Sequence, residues 1–420
     1  MPDLSKLTLI IVVAALVGLL LALASHSSSQ APDAKLSSLP TCTSDRSDSA
    51  YKDQPLTDIY FSQDELKSIG VGCNSKSVTL LKSVNLSMLQ VYLAPDAIQS
   101  IDAPEFEPSW TADSWLSDDD LVLTLTSGDI ARAYPTAILN WHEIVNDQLG
   151  EVPVVITFSP PANAGMAFER PMINGKLATF GTSGRIYQSD LVMYDRVTGS
   201  FWSQMEGRPM VGSLVGQSEQ LKQIPLGMSR WGDWKRAYPK TEVLARPTTA
   251  IALGGKPAID PPHLARLVSR NYSINPYARY LSDRLDTFGT PFADTRLGAK
   301  TLITGVQSID GQSRAYLKDS IEKIGSLNDQ LGETPLVVVW NPETQDVSIF
   351  QRAVKDQVLQ FLVRGGELVD TATNTEWSFD GKALDGPYAR EGAQLQPVAS
   401  STAFWFVWLT FHPETDLYAE

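Results

Sequence analysis

Short apolar runs separated by turn-forming residues recur along the chain after residue 100. Leu121–Leu125 and Ile130–Tyr134 flank Gly128-Asp129 and are predicted to form a hairpin. Val152–Phe158 is almost continuously apolar and rich in β-branched residues, which is typical of a buried strand. Further short strands are predicted at Met166–Phe168, Lys176–Phe180, Ile186–Gln188, Leu191–Tyr194 and Phe201–Met205. This spacing favours a meander, a sandwich or a barrel.

One segment between the predicted strands has helical periodicity. Pro135–Val145 begins with a proline, which is well placed in the first turn of a helix. Its apolar residues, Ala137, Ile138, Trp141 and Val145, recur on one helical face. We therefore expect a short helix here.

Two long stretches of the chain are alike. NDQLGEVPVVITFSP (residues 146–160) corresponds to NDQLGETPLVVVWNP (residues 328–342) at an offset of 182 residues. RAYPTAIL (132–139) and RAYLKDSI (314–321) have the same offset, and Trp231 and Trp405 match at an offset of 174. A series of identities at nearly constant offsets indicates an internal duplication. Two such units are too few and too long for a solenoid.

A hairpin in each repeat carries the same three residues. Asp195, Thr198 and Trp202 correspond to Asp370, Thr373 and Trp377 at an offset of 175. Asp in such a position commonly caps a turn through its side chain, and we expect this role for both aspartates.

The expected fold is α+β and β-rich, with two tandem repeats of one mainly antiparallel β domain. Each repeat carries a short helix, and an N-terminal hydrophobic helix precedes them. The repeats are expected at residues 101–245 and 295–420, joined by an ordered connection at 246–294, and an N-terminal region is expected at 54–100.

The N-terminus carries an export or anchoring signal. Leu7–Ala24 is a run of eighteen uncharged residues that follows Lys6. It is just long enough to span a bilayer, and Ala22-Leu23-Ala24 also offers small residues to a signal peptidase. Residues 1–24 are thus either a membrane anchor or a cleaved signal peptide, and residues 25–53 read as a flexible spacer. As an anchor, the segment holds the protein on the membrane, facing the periplasm or exterior. As a cleaved signal peptide, it leads to secretion.

Composition excludes some partners and suggests one covalent link. The formal net charge is −14 and no cluster of Lys and Arg is visible, so nucleic acid is not an expected partner. The lone cysteines, Cys42 and Cys73, are expected to form a disulfide in an oxidising compartment. The four histidines lack ligand-like spacing, so no metal site is predicted, and no cofactor is specified.

Several stretches resemble the bacterial family catalogued as domain of unknown function 3179. They include SIDAPEF (100–106), LNWHEIVND (139–147), TFGTSGRIYQSDLVMYDRVTGSFWSQ (179–204), NPYARY (275–280) and FWFVWLTFHPET (404–415). The resemblance covers about residues 100–420 and implies a fold-level relative without a defined activity. Members of this family commonly carry a Cys-Pro-x-Cys pair, where this chain has Ser159 and Ala162. The resemblance therefore implies that any thiol chemistry of the family is absent at this position.

Three polar residues, His142, Glu143 and Ser159, are candidates for catalysis, and Arg185 is a candidate for anion binding. His142-Glu143 lacks the second histidine of a zinc HExxH motif, so His142 is either a general base or a structural histidine. Ser159 follows a buried strand but lacks the flanking glycines of a nucleophile elbow. Arg185, in GTSGR, either helps to bind an anion or belongs to a plain hairpin.

Aromatic residues and one glutamine provide the ligand-binding candidates. Trp202 and Trp377, with Arg185 and Gln204, are predicted either to pack in the core or to line a groove at the seam between the repeats. The favoured hypothesis is a non-catalytic ligand-binding or assembly module of the cell envelope, with a small molecule or an envelope protein as its partner. The alternative is an enzyme that uses His142 and Glu143 at a polar cleft.

Overall fold

The computed structural model describes residues 82–217, 220–248 and 270–419. The predicted hydrophobic segment 1–24, the spacer 25–53 and residues 249–269 of the connection lie outside the described residues. Cys42 and Cys73 lie outside them as well, and so does their predicted disulfide. In the part of the chain that the structure describes, no helix has the length and apolarity needed to cross a membrane.

The protein is β-rich, with 14% of residues helical and 42% in strands, as the predicted α+β class requires. The strands are, in chain order, β1 Leu89–Val91, β2 Phe106–Pro108, β3 Leu121–Ser127, β4 Ile130–Pro135, β5 Ile144–Leu149, β6 Val152–Ser159, β7 Ala164–Glu169, β8 Met172–Ile173, β9 Lys176–Leu177, β10 Phe180–Tyr187, β11 Asp190–Asp195, β12 Phe201–Ser203, β13 Arg208–Val211, β14 Gln223–Ile224, β15 Gly227–Arg230, β16 Glu242–Leu244, β17 Leu302–Gln307, β18 Ser313–Tyr316, β19 Ser326–Leu331, β20 Thr334–Asn341, β21 Asp346–Gln351, β22 Ala353–Val354, β23 Gln357–Val358, β24 Phe361–Arg364, β25 Glu367–Asp370, β26 Glu376–Trp377, β27 Ala383–Asp385, β28 Gln396–Pro397, β29 Ser401–Phe404 and β30 Asp416–Tyr418. The helices are α1 Ser109–Ala112, α2 Thr136–His142, α3 Trp231–Ala237, α4 Ala278–Ser282, α5 Lys318–Ile324, α6 Pro387–Arg390 and α7 Trp405–Phe411, with a 3₁₀ helix at Leu86–Met88.

The first half of the molecule (residues 101–245) builds three sheets. Their strand orders are β15-β3-β4-β16-β2, β5-β6-β7 with β14 added to β7, and β10-β11-β12-β13, which β1 extends at its edge. All pairs in these sheets are antiparallel except β16 with β4. β6 lies between two apolar clusters, with Val155 in one and Ile156 in the other. Both faces of this strand are therefore covered, which explains its continuous apolar run.

The second half (residues 295–419) follows the same order of elements. Its sheets run β29-β17-β18-β30, β19-β20-β21-β28 and β24-β25-β26-β27. Individual contacts recur as well: the Tyr134 hydroxyl donates to Asp147 at 2.6 Å, and the Tyr316 hydroxyl donates to Asp329 at 2.7 Å. The pair of β18 with β30 is parallel, as is the pair of β4 with β16.

The two halves share sheets and a core. β29 of the second half pairs with β7 of the first half through Thr402 and Gly165, and this joins two sheets into one of eight strands. One apolar cluster combines Phe168 and Trp202 of the first half with Phe404 and Trp405 of the second. Burial of large side chains from both halves in one cluster stabilises their association.

Two local predictions differ from the structure. The helix predicted at Pro135–Val145 ends at His142, because Glu143 adopts a positive φ of 59° and Ile144 begins β5. The GTSGR sequence is not the tip of a hairpin. It lies within β10, and the strand pairing shifts between Thr182 and Arg185 at a bulge where Gly184 has a φ of 71°.

Candidate ligand groove between the two halves

The predicted turn caps are confirmed in both halves. Asp195 accepts hydrogen bonds from the backbone N–H of Val197 at 3.1 Å and of Thr198 at 2.6 Å, and from the Trp202 indole at 2.9 Å. Asp370 accepts the equivalent bonds from Ala372, Thr373 and Trp377 at 3.1, 2.7 and 3.2 Å. Both aspartates and both tryptophans are fully buried. Trp202 and Trp377 therefore belong to the core, and no ligand surface includes them.

His142 is buried at the end of α2, and both of its ring nitrogens have partners. Nδ1 lies 2.8 Å from the Gln99 carbonyl oxygen, and Nε2 lies 2.8 Å from the Tyr272 hydroxyl. A carbonyl only accepts, so Nδ1 carries the proton and Nε2 accepts from Tyr272. Burial lowers the pKa of His142 to about 4, against the opposing effect of the Gln99 carbonyl. This geometry describes a neutral, structural imidazole.

Glu143 and Asp190 are buried carboxyl groups whose charges interact. Burial raises the pKa of Glu143 to about 8, with the Tyr277 hydroxyl and Arg270 opposing the shift and Asp190 adding to it. Burial also raises the pKa of Asp190 to about 7, opposed by the Ser159 hydroxyl. Asp190 Oδ2 accepts from the backbone N–H of Met205 at 3.0 Å. Burial in the core therefore favours the protonated form of Glu143 at neutral pH.

The other predicted site residues are buried in the same region. The Ser159 hydroxyl accepts from the backbone N–H of Leu191 at 3.1 Å, and the Gln204 amide donates to the Thr157 hydroxyl at 2.9 Å. Arg185 is 3% exposed, donates to the Ser183 carbonyl at 2.8 Å and covers the Phe201 ring. Ser159 and Gln204, like Glu143, thus lie inside the protein.

A groove at the boundary between the halves, here called groove A, has a volume of about 410 Å³. This volume lies within the range of roughly 300–1,000 Å³ that is typical of ligand pockets. The first half contributes β3, the segment from β14 to β15, and α3, while the second half contributes β20, β21 and the segment near β28. Its lining includes Thr126, Ser229, Trp234, Tyr238, Asp346 and Asp380.

Ser229 and Asp346 are two of the buried polar residues that line groove A. Ser229 is 2% exposed, and its hydroxyl has no hydrogen-bond partner among the described residues. Asp346 accepts from the backbone N–H of Met228 at 2.8 Å, and Lys318 lies 3.6 Å from its other oxygen. Burial nevertheless raises the pKa of Asp346, with Lys318 opposing the shift. A polar group buried without a partner costs free energy, so its burial in a cavity wall marks a site for a polar contact.

Tyr238 and Asp380 close groove A from opposite halves. The Tyr238 hydroxyl donates to Asp380 Oδ2 at 2.8 Å, and the Asn341 amide lies 3.4 Å from Oδ1. Burial, Asp380 and Glu343 together raise the pKa of Tyr238 well above its usual range. Among the described residues Asp380 makes no ion pair.

Gly227, in β15, allows Asp346 of the second half to approach the first half closely at groove A. A Cβ atom at this position would lie 2.4 Å from the Thr124 hydroxyl and 3.1 Å from Asp346 Oδ2. The lack of a side chain at Gly227 therefore allows the Asp346 carboxylate to reach the backbone of the first half.

A second groove, here called groove B, lies at the equivalent boundary on the other side and also has a volume of about 410 Å³. Trp408 and His412 line it where Trp234 and Tyr238 line groove A, both at an offset of 174 residues. Burial lowers the pKa of His412 to about 4, so its imidazole is neutral. Trp234 and Trp408, unlike Trp202 and Trp377, are thus the tryptophans that reach the grooves.

Ser229, Asp346 and Asp380 were missed as site residues in the sequence. Each of them occupies a position where the two halves differ: Ser229 matches Ala403 at an offset of 174, Asp346 matches Ala164 at 182, and Asp380 matches Met205 at 175. Identical residues in the two halves do not mark such positions. The signal in the sequence was a polar residue in one half at a position where the other half has an apolar one.

No metal centre is formed by the described residues, since no three His, Cys, Asp or Glu side chains in those ranges come together in a suitable group.

Comparison with known proteins gives a family and no activity. A family model described as a protein of unknown function (DUF3179) matches residues 95–415. No curated protein matches the chain, and no solved structure matches it. The match confirms the resemblance seen in the sequence and covers more than half of the chain. The chain belongs to the DUF3179 family.

Proposed function

We propose that the protein is a binding module that holds a small polar molecule in groove A, between its two halves. Ser229 lines this groove, and its buried hydroxyl, which has no partner among the described residues, is the observation that carries the proposal. The Asp346 and Asp380 carboxylates and the rings of Trp234 and Tyr238 surround it. A few polar groups that converge on a partly aromatic cavity are the usual composition of a ligand site.

The proposal includes two tandem repeats that meet around the ligand. The common order of elements in the two halves supports a duplication, and so do the matched turn caps at Asp195 and Asp370. Positions 229, 346 and 380 then became polar in only one member of each matched pair. A ligand site at the boundary explains why only one member of each pair is polar.

The proposal also includes a location in the cell envelope. The run Leu7–Ala24 supports export, either as an anchor or as a cleaved signal. A binding module tethered on the outer side of a membrane would present its ligand to an envelope protein, which is the partner class that we propose.

An enzyme is the second candidate, and one observation favours it. Glu143 has a pKa raised to about 8 by burial, which suits a proton donor at neutral pH. His142 does not add to this candidate, because Gln99 and Tyr272 already engage both ring nitrogens. A reaction at Glu143 would also need a path for substrate into the core.

A pair of tryptophan substitutions tests the binding proposal on the full-length protein. Thr126 is exposed on β3 and lines groove A, so Thr126→Trp should fill the groove without changing the core. Ser127 is its exposed neighbour outside the groove, and Ser127→Trp is the matched control. Ligand-observed NMR with a mixture of small polar metabolites is the measurement.

The wild-type protein and the Ser127→Trp variant should give signals from the same bound compounds, and Thr126→Trp should lose them. Equal binding by the two variants would overturn groove A as the site. If no compound of the mixture binds the wild-type protein, the binding function itself fails.

A further inference from the structure

Groove A has an acidic surface. Asp346 and Asp380 line it, and Glu343 lies close enough to raise the pKa of Tyr238. None of the described residues that line the groove is Lys, Arg or His. The nearest cation is Lys318, which is 40% exposed and lies 3.6 Å from Asp346. One ammonium thus offsets part of the charge of Asp346, while Asp380 receives only neutral donors.

The two carboxylates of groove A, Asp346 and Asp380, are acceptors with remaining capacity. Asp380 already accepts from the Tyr238 hydroxyl, and Asp346 already accepts from a backbone N–H, yet a carboxylate has about four lone-pair sites. A ligand that supplies several N–H or O–H donors would use this remaining capacity. Charge-assisted hydrogen bonds to carboxylates are roughly twice as strong as neutral ones.

Groove B provides an internal comparison, because it has the same volume and equivalent walls without the acids. The positions that match Asp346 and Asp380 are Ala164 and Met205. Arg208 is the charged residue that lines groove B. Two grooves built from equivalent elements therefore differ in the sign of their charge, and the carboxylates are not required by the shared architecture.

We propose that the ligand of groove A is a small, positively charged molecule that carries an ammonium group together with hydroxyl or further N–H donors. This inference rests on the proposed binding function and specifies its ligand class. Asp346 and Asp380 pair with the ammonium, and the unpartnered Ser229 hydroxyl accepts one of the remaining donors. The rings of Trp234 and Tyr238, whose centroids lie 4.1 Å apart, border the same space.

Three matched sugars test the ligand class by calorimetric titration of the full-length protein. Glucosamine carries an ammonium group at slightly acidic pH, glucose is neutral and glucuronate is anionic, while their rings are of similar size. Glucosamine should bind at least about tenfold more tightly than glucose, and glucuronate should bind most weakly. Added salt should reduce the preference for glucosamine, because Asp380 is exposed and its field is screened.

Carboxamide variants identify the groups responsible. Asp380→Asn removes an exposed charge from the groove and should reduce the preference for glucosamine several-fold. Asp385→Asn, which removes an exposed charge outside the groove, should leave it unchanged. Asp346→Asn keeps an acceptor for the Met228 N–H and should also reduce the preference.

The outcomes separate this inference from the proposed function. Glucose or glucuronate binding as tightly as glucosamine, or glucosamine failing to bind, would overturn the cationic ligand class. If other compounds still bound in a manner blocked by Thr126→Trp, the binding function would stand without it. An unchanged preference in both Asp380→Asn and Asp346→Asn would likewise overturn the assignment.

Discussion

The hydroxyl of Tyr238, in the first half, donates a hydrogen bond of 2.8 Å to the carboxylate of Asp380, in the second half. Neither half alone contains both groups. Because the two residues also line groove A, one hydrogen bond both joins the halves and shapes the candidate site.

Tyr238→Phe should lower the free energy of unfolding by about 1 kcal/mol, since it removes one donor to a charged acceptor at a partly exposed position. Tyr92→Phe is the matched control, because the Tyr92 hydroxyl donates to the neighbouring Gln90 on the surface. Chemical denaturation of both variants is the measurement. A Tyr238→Phe protein as stable as the Tyr92→Phe control would show that the contact contributes nothing to joining the halves.

The buried aspartates at the two hairpin turns should be among the most sensitive positions in the molecule. Asp195→Ala leaves the Val197 and Thr198 N–H groups and the Trp202 indole without their acceptor. We expect a loss of roughly 3 kcal/mol or more, because several buried donors lose their partner at once.

Asp370→Ala should have a similar effect, and Asp129→Ala, in an exposed turn, should have almost none. Thermal unfolding of the three variants compares them. Asp195→Ala and Asp129→Ala variants of equal stability would contradict the turn-capping role.

The protein should become less stable as the pH rises from 6.5 to 8. In the unfolded chain Glu143 and Asp190 are already ionised in this range, whereas the folded protein retains protons on them because burial raises their pKa values to about 8 and about 7. The folded state then binds more protons than the unfolded state, so stability falls with rising pH.

Glu143→Gln should flatten this dependence by up to about 1.4 kcal/mol per pH unit, which is the linkage value for one proton. The measurement is the free energy of unfolding of wild type and variant at several pH values. Parallel curves for the two proteins would mean that Glu143 ionises normally in the folded state.

His142 should produce the opposite dependence at lower pH. Its folded pKa of about 4 lies below the ordinary value of 6.5, so the unfolded chain takes up a proton first as the pH falls from 6.5 towards 4. Its contribution to stability is therefore present above pH 6.5 and is lost through this window.

His142→Ala should lower stability at neutral pH by roughly 2 kcal/mol, because the Gln99 carbonyl and the Tyr272 hydroxyl lose their partner. It should not change ligand binding in groove A. A variant of native stability that has lost a catalytic turnover would instead favour the enzyme candidate.

The sequence was sufficient for features that depend on local pattern. Neighbouring residues predict strands such as Val152–Ser159 and the caps at Asp195 and Asp370. The constant offsets indicate which residues of the two halves match each other. The helix end at His142 was misplaced because periodicity does not reveal the positive φ of Glu143.

The candidate site depends on residues that are distant in the chain. Ser229 belongs to the first half and Asp346 and Asp380 to the second, and all three line groove A between the halves. The sequence left Trp202 and Trp377 either in the core or at the seam, since an exposed aromatic and a buried one look alike in a pattern. Their indoles donate to Asp195 and Asp370 in the core.

Native mass spectrometry of the purified full-length protein tests the central claim most directly. We predict a bound small molecule on the wild-type protein and on Ser127→Trp, and its absence from Thr126→Trp, whose new side chain fills groove A. Two results would contradict the account. One is the same bound mass on both tryptophan variants, and the other is a wild-type protein that stays bare in millimolar concentrations of every polar compound screened.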